Sequence, residues 1–285
     1  MILKAHAKLN LALDVTGKRA DGYHNMNMIM QSVELGDTLT LEKREKGIAL
    51  FCDDPSAPCD RRNLAWKAAE QFFAFTALPG GISVRIEKRI PAQAGMAGGS
   101  ADAAAVLVGL NELYKAKLPV DTLCRLGKTL GADVPFCIVG GTAHVTGIGE
   151  VICPLQPLPT CFLVIVKPEQ GISTQEAFQA IDEQKGLQHF ELDPILSGIA
   201  HEDLSSVCQN MGNVFEQVTV VQDVFTAKQR LLDLGAEASL MSGSGSAVFG
   251  VFRMLEDAEH ACRTLQKEYP AVFQTVPVEK GIEVW

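Results

Sequence analysis

The chain has 285 residues, of which 47% are hydrophobic and 21% charged, and its formal net charge is −9. This length and composition predict a globular protein with one large or two medium domains. The negative charge and the lack of a basic stretch argue against binding to nucleic acid or to an anionic membrane surface. No apolar run approaches the roughly 18 residues of a membrane span.

The cysteines and the N-terminal residues indicate the cytoplasm. Eight cysteines are dispersed without a C-x-x-C pair, and the six histidines are equally scattered, which predicts free thiols and no metal cluster. Residues 1–15 are apolar, but Lys8 and Asn10 interrupt them in a strand-like alternation that does not fit a signal peptide.

Hydrophobic periodicity and turn residues predict an α+β fold. The predicted strands lie at residues 1–15, at 29–42 as two strands around Gly36 and Asp37, at 82–91 and at 161–168, with two more on either side of MSGSGS. The predicted helices lie at 63–77 with Asn63 as N-cap, from about Ser100 to Tyr114, at 121–130, at about 214–234, and near 255–268. The Pro-rich PLQPLPT predicts a boundary between domains 1–156 and 157–285.

The segment PAQAGMAGGSADAAAVL at residues 91–107 is the most informative part of the chain. Its small residues let backbone N–H groups approach a ligand, and a helix beginning at Ser100 would add free N–H groups and a positive dipole end. This arrangement suits phosphate. A tight turn with Ser100 as an ordinary N-cap explains the same residues. The P-loop and G-x-G-x-x-G patterns are absent.

The glycine-rich segment resembles the ATP loop of the GHMP kinases, P-x-x-A-G-[LM]-[GA]-G-G-S-[SA]. Two further motifs of that family follow the same order, AKLNLALDVTGKRADGYHNM and LMSGSGSAVFG. The resemblance implies an N-terminal ribosomal-S5-like lobe and a C-terminal ferredoxin-like lobe with the active site between them. It also implies ATP with Mg²⁺, for which the sequence identifies no metal ligand. The residues implied in ATP binding are Asn63, Pro91, Ala94, Gly95, Met96, Ala97, Gly98, Gly99, Ser100 and Ala101. Gln93 and Ala97 stand where many members have glycine.

AKLNL, GKRADGYH and GADVPF are similar to the family members that act on a cytidine diphosphate-linked methylerythritol. The resemblance then implies that ATP phosphorylates a hydroxyl of this small molecule, giving the 2-phosphate and ADP, in the non-mevalonate route to isoprenoid precursors. It implies Asp133 as the catalytic base with Lys8 beside it. The substrate residues that it implies are Asn10, Tyr23, His24, Thr174 and Phe178.

Each of these roles has a simpler alternative. Asp133 before Val-Pro suits a helix N-cap, Lys8 suits a solvated strand face, and Phe178 suits the core face of a helix. Two other functions also remain open. One is a GHMP kinase of the mevalonate or homoserine type, and the other is a catalytically silent nucleotide-binding homologue. The protein is expected to be a monomer or a homodimer.

Overall fold

The computed structural model describes residues 1–285, which form two β-sheets and nine α-helices. The strands are β1 Ile2–Lys18, β2 His24–Arg44, β3 Gly47–Cys52, β4 Gly81–Glu87, β5 Thr142–Gly147, β6 Val151–Pro154, β7 Phe162–Lys167, β8 Gly212–Asn213, β9 Ala238–Met241, β10 Val248–Phe252, β11 Ala271–Thr275 and β12 Ile282–Val284. The helices are α1 Leu64–Thr76, α2 Gly98–Leu113, α3 Val120–Leu130, α4 Val134–Val139, α5 Thr174–Glu183, α6 Asp193–Ala200, α7 Leu204–Asn210, α8 Gln222–Asp233 and α9 Leu255–Leu265.

The first sheet has eight strands and is built on the long β1–β2 pair. Its main path runs β12-β1-β2-β4-β3, while β5 pairs with β2, β6 with β5, and β8 with β1. The Ala-rich α2 packs against β1 and β2, where its alanines are fully buried and allow close approach to the sheet. This packing brings the glycine-rich segment before α2 against β1, where the Lys8 N–H donates to the Met96 carbonyl oxygen at 3.2 Å.

The prediction of two strands within residues 29–42 was wrong, because β2 continues through this region without a break. Gly36 pairs with His6, and the register between β1 and β2 shifts between His6 and Ala7. A Cβ on Gly36 would lie 2.5 Å from the carbonyl oxygen of Ala5. The glycine therefore permits close backbone approach at a bulge instead of ending the strand.

The second sheet has four antiparallel strands in the order β11-β7-β10-β9. The chain between β7 and β9 contains α5, α6, α7 and β8 and ends with α8, whereas α9 alone connects β10 to β11. Helices α8 and α9 both pack on this sheet. This is the split βαβ arrangement of ferredoxin-like folds. The helix expected within residues 214–234 is divided into a 3₁₀ turn at Val214–Gln217 and α8, with the β-branched run 218–221 between them.

The chain crosses between the two sheets more than once. After β7 has begun the second sheet, β8 pairs with β1 in parallel and β12 pairs with β1 antiparallel. The boundary between residues 156 and 157 stays a prediction. None of the helices is long and apolar enough to cross a membrane.

Candidate active site

A cavity of about 580 Å³ is lined by residues from both sheets and from the helices packed on them. The glycine-rich segment 91–100 forms one wall. Lys8 and Asp133 lie on the same cavity surface, and Thr174, Phe178 and Phe215 contribute from the second half of the chain. The predicted residues Asn10, Tyr23, His24 and Ala101 do not line this cavity.

The glycine-rich segment is a loop with three left-handed residues in alternating positions. Gln93, Gly95 and Ala97 have φ values of 50°, 70° and 60°. A left-handed conformation favours glycine, which gives a physical reason for glycine at positions 93 and 97 in many GHMP kinases. Here Gln93 and Ala97 adopt that conformation with a side chain, and the Gln93 side chain lies against Gly171, whose added Cβ would be 2.5 Å from Oε1.

Helix α2 begins at Gly98, two residues before the predicted start at Ser100. The left-handed Ala97 is its flanking residue, and the Ala101 N–H already donates to the Ala97 carbonyl oxygen at 2.9 Å. Ser100 therefore lies in the first turn and is not an N-cap. The backbone N–H groups of Gly98, Gly99 and Ser100 donate to no protein carbonyl, so these three donors and the positive end of α2 are available to an anion.

The turn between β9 and β10 braces the glycine-rich loop. Ser242 Oγ donates to the Gly95 carbonyl oxygen at 3.1 Å, and the Ala247 N–H donates to Ala94 at 3.3 Å. The same turn contacts the first residue of α5, where the Ser244 and Thr174 hydroxyls are 3.0 Å apart. The loop, the turn and the start of α5 are thus joined by direct hydrogen bonds.

Lys8 and Asp133 lie on the cavity wall with different surroundings. Lys8 is buried, its Nζ donates to Asn10 Oδ1 at 2.6 Å, and its backbone N–H donates to Met96 at 3.2 Å. Asn10 is fully buried with its amide against Met28. Asp133 precedes α4 but its side chain makes no capping hydrogen bond, which removes the alternative of a simple N-cap. Lys8 and Asp133 form no ion pair within 4.0 Å.

Asn63 both caps α1 and lines the cavity. Its Oδ1 accepts the Ala65 N–H at 2.9 Å, and its Nδ2 donates to the Pro58 carbonyl oxygen at 2.8 Å. The predicted N-cap is confirmed. The amide keeps one N–H and one lone pair beyond these two bonds, so a contact with a nucleotide can be added without breaking either of them.

The aromatic residues near α5 form a stack in which Phe178 and Phe215 line the cavity and His24 does not. The His24 and Phe178 rings are stacked with centroids 4.7 Å apart, and Phe178 packs edge-on against Phe215 at 5.0 Å. His24 Nε2 is 2.8 Å from Asp182 Oδ1, and Lys18 Nζ is 2.5 Å from Asp182 Oδ2. Both hydrogen bonds lower the pKa of Asp182, and the bond from His24 has the larger effect. Tyr23 is exposed.

Sequence reasoning missed a buried group of charges behind the start of α2, formed by Asp37, Lys88 and Asp102. Lys88 Nζ donates to Asp37 Oδ2 at 2.5 Å and to Asp102 Oδ2 at 2.7 Å. Burial, followed by the nearby Asp37 charge, raises the pKa of Asp102 to about 7, although Lys88 opposes the shift. The three residues come from β2, from the residue after β4, and from α2, so no local pattern links them.

The glycine-rich loop, the open helix end and the unpaired carboxylate on one cavity wall define a phosphoryl-transfer site of the kinase class. Family models agree with this class: "GHMP kinases N terminal domain" matches residues 63–141 and "GHMP kinases C terminal" matches residues 195–271. The chain belongs to the GHMP kinase family. The two-lobe α+β architecture expected from the sequence is confirmed.

Individual members of the family are similar to this chain over nearly its full length. The chain is 44% identical over 277 residues to the 4-diphosphocytidyl-2-C-methyl-D-erythritol kinase of Clostridium botulinum strain Eklund 17B, covering 96% of this chain and 99% of the relative. A crystal structure of 4-(cytidine 5'-diphospho)-2C-methyl-D-erythritol kinase has a TM-score of 0.83 and 33% identity, with coverage of 97% and 99%. Homoserine kinase from Cytophaga hutchinsonii shares the fold, with a TM-score of 0.80, 19% identity, and coverage of 100% and 97%.

Proposed function

We propose that this protein transfers the γ-phosphoryl group of ATP to a hydroxyl of 4-diphosphocytidyl-2-C-methyl-D-erythritol, giving the 2-phosphate and ADP. The observation that carries the proposal is one cavity lined by the glycine-rich loop, by Lys8 and Asp133, and by Phe178. The 44% identical relative of that name supports the choice of substrate. The eight cysteines are all free thiols, which supports the cytoplasm as the compartment.

The proposed mechanism is direct in-line transfer, without a phosphoenzyme. The free N–H groups at the start of α2 hold the phosphates, with the Ser100 hydroxyl beside them. Asp133, which has no internal hydrogen-bond partner, accepts the proton of the substrate hydroxyl. Lys8, held by Asn10, places a positive charge on the same wall, where it stabilises the transferring phosphoryl group.

The residues present fit a magnesium ion carried in with the nucleotide. No group of three or more His, Cys, Asp or Glu side chains is placed to hold a metal. Mg²⁺ in kinases keeps much of its coordination from substrate phosphates and water, so it does not need a dedicated group of protein ligands. When bound, Mg²⁺ neutralises charge on the phosphates.

For the cytosine we propose a subsite at Phe178, with Tyr23 and His24 on the opposite side. A third ring between His24 and Phe178 needs centroids about 7 Å apart, twice the contact distance of stacked carbon atoms. The observed separation is 4.7 Å. The base therefore either displaces His24 or stacks on a ring face that His24 does not cover. Thr174, bonded to Ser244, is a hydroxyl for the polar groups of the same substrate.

The test measures ADP release with Mg-ATP and three separate acceptors: the cytidine diphosphate methylerythritol, mevalonate and homoserine. We expect turnover with the cytidine compound alone. The Asp133→Asn variant is the control, and we expect it to lose turnover by about 10²- to 10⁴-fold while keeping its affinity for ATP. Turnover with another acceptor would contradict the proposed cytosine subsite. Full activity of Asp133→Asn would contradict the assignment of Asp133 as the catalytic base.

A further inference from the structure

The glycine-rich loop lies directly in front of the buried Asp37–Lys88–Asp102 group. A Cβ added to Gly98, the first residue of α2, would lie 3.4 Å from Lys88 Nζ. Lys88 and Asp102 also line the cavity. The net charge of this group therefore acts on any anion held by the first turn of α2. With both carboxylates ionised, the group carries one negative charge, and with one of them protonated it is neutral.

The hydrogen bonds identify which carboxylate holds the negative charge. Asp37 is fully buried and accepts three donors: Lys88 Nζ at 2.5 Å and the backbone N–H groups of Arg89 and Ile90 at 2.6 and 2.8 Å. A carboxylate with several donors is stabilised in its ionised form. Asp102 accepts Lys88 Nζ alone, and its Oδ1 is buried without any donor.

An ionised Asp102 would leave a buried carboxylate oxygen without a partner, which is costly in a protein interior. It would also place a second negative charge beside Asp37 with one ammonium between them. A proton on Asp102 removes the second cost and reduces the first, because an unpartnered neutral oxygen is less costly to bury than an unpartnered charged one. The pKa of Asp102, raised chiefly by burial, agrees with this argument from geometry.

We propose that Asp102 is a positioning residue that works in its neutral form, anchoring the first turn of α2 through Lys88 without adding negative charge behind the phosphate-binding loop. This inference rests on the proposed function only in naming ATP as the anion. Asp37 and Lys88 are the charged groups that act on Asp102, and Asp102 in turn acts on the thiols of Cys52 on β3 and Cys137 on α4. Burial raises the pKa of both thiols, so both are neutral near pH 7.

The protonation of Asp102 is tested first without nucleotide or acceptor, by infrared spectroscopy of the folded protein. We expect a carbonyl band of a protonated carboxylic acid at a pH of about 6, which disappears as the pH rises above about 8 and is missing from Asp102→Asn. No change in this band across that range in the wild-type protein would overturn the proposal. The wild-type titration also stands if the variant does not fold.

Binding of ATP then tests the consequence for the loop. We expect Asp102→Asn, which imitates the neutral acid, to bind ATP within about threefold of wild type near pH 6. Above that pH the wild-type affinity should fall relative to that of the variant, because only the wild type gains a charge. Comparing the two proteins at each pH cancels the ionisation of ATP itself. A folded Asp102→Asn protein that binds ATP more than 30-fold more weakly at every pH would show that the charge is required, and would overturn the proposal.

The matched control is Asp37→Asn, because Asp37 is the partner that we infer to be ionised. We expect this variant to unfold at a clearly lower urea concentration than Asp102→Asn. Equal stability of the two variants would contradict the assignment of the charge. If these binding and spectroscopic results hold while no acceptor is phosphorylated, the proposed function fails and the inference about Asp102 stands.

Discussion

Replacing Gly95 with alanine tests whether the turn between β9 and β10 fixes the shape of the glycine-rich loop. A Cβ on Gly95 would lie 2.0 Å from the Ser242 carbonyl oxygen and 3.2 Å from the Gly245 nitrogen. Both neighbours are backbone atoms, so they cannot move aside as a flexible side chain can. The loop and the turn must separate, which breaks the 3.1 Å hydrogen bond from Ser242 Oγ to Gly95.

The expected loss of stability in Gly95→Ala has two parts, and a matched control variant separates them. The left-handed φ of +70° costs about 1–2 kcal/mol for a residue with a Cβ. The steric conflict adds about 1–3 kcal/mol, the usual cost of overpacking. Gly235 has a φ of +95° and nothing within 4 Å of an added Cβ, so Gly235→Ala carries only the first part.

Urea unfolding of the two variants gives the comparison. We expect Gly95→Ala to lose about 1–3 kcal/mol more stability than Gly235→Ala. We also expect its KM for ATP to rise, because the loop moves away from the helix end, while Gly235→Ala keeps the wild-type KM. If both variants lose the same stability, the loop does not depend on the turn and our account of its shape is wrong.

Three further predictions concern single side chains. Asn63→Ala should lower the free energy of unfolding by about 1 kcal/mol through the lost cap, and an unchanged KM for ATP would show that capping is its only role. Asp182→Asn should raise the KM for the cytidine acceptor and leave kcat unchanged, since His24 loses its partner. The hydrogen bond from His24 lowers the pKa of Asp182, so the difference in KM between variant and wild type should be largest at neutral pH and vanish as the pH falls through that lowered pKa. A change in kcat instead of KM would argue against a positioning role. Because the pKa of Asp102 is raised, wild type should lose stability relative to Asp102→Asn as the pH rises from about 4 to about 7, by at most about 4 kcal/mol. If the difference in stability between the two proteins, measured by thermal unfolding, is the same across this pH range, the prediction is wrong.

Local sequence signals predicted much of the fold. Strand β4 ends at Glu87, before its predicted end at Pro91. Asn63, however, marked the start of α1, and MSGSGS marked the turn between β9 and β10. Each of these features is specified by residues within a few positions of one another. The same locality explains the error at Gly36, where a glycine that usually ends a strand instead permits a bulge opposite β1.

The ion pairs around the site, unlike Lys8 and Asp133, could not be predicted from the sequence. Lys88 is 51 residues from Asp37, and Asp182 is 158 residues from His24. Charges paired over such separations leave no periodic pattern, because their contact depends on how the elements pack. Asp102 did carry a signal: a carboxylate in the first turns of a helix that faces phosphate is unfavourable, which the structure resolves by turning it inward.

The pairing of β12 with β1 bears on how the chain folds during synthesis. Leu3 lies opposite Val284, and the backbones of Ile2 and Trp285 exchange hydrogen bonds at 3.3 and 2.9 Å. At about 5–20 residues per second, β1 leaves the ribosome on the order of 15–60 s before its last partner. During that interval one edge of the first sheet is open to pairing with other chains. A chain without residues 282–284 would leave residues Leu3 to Ala5 of β1 without their partner on this edge.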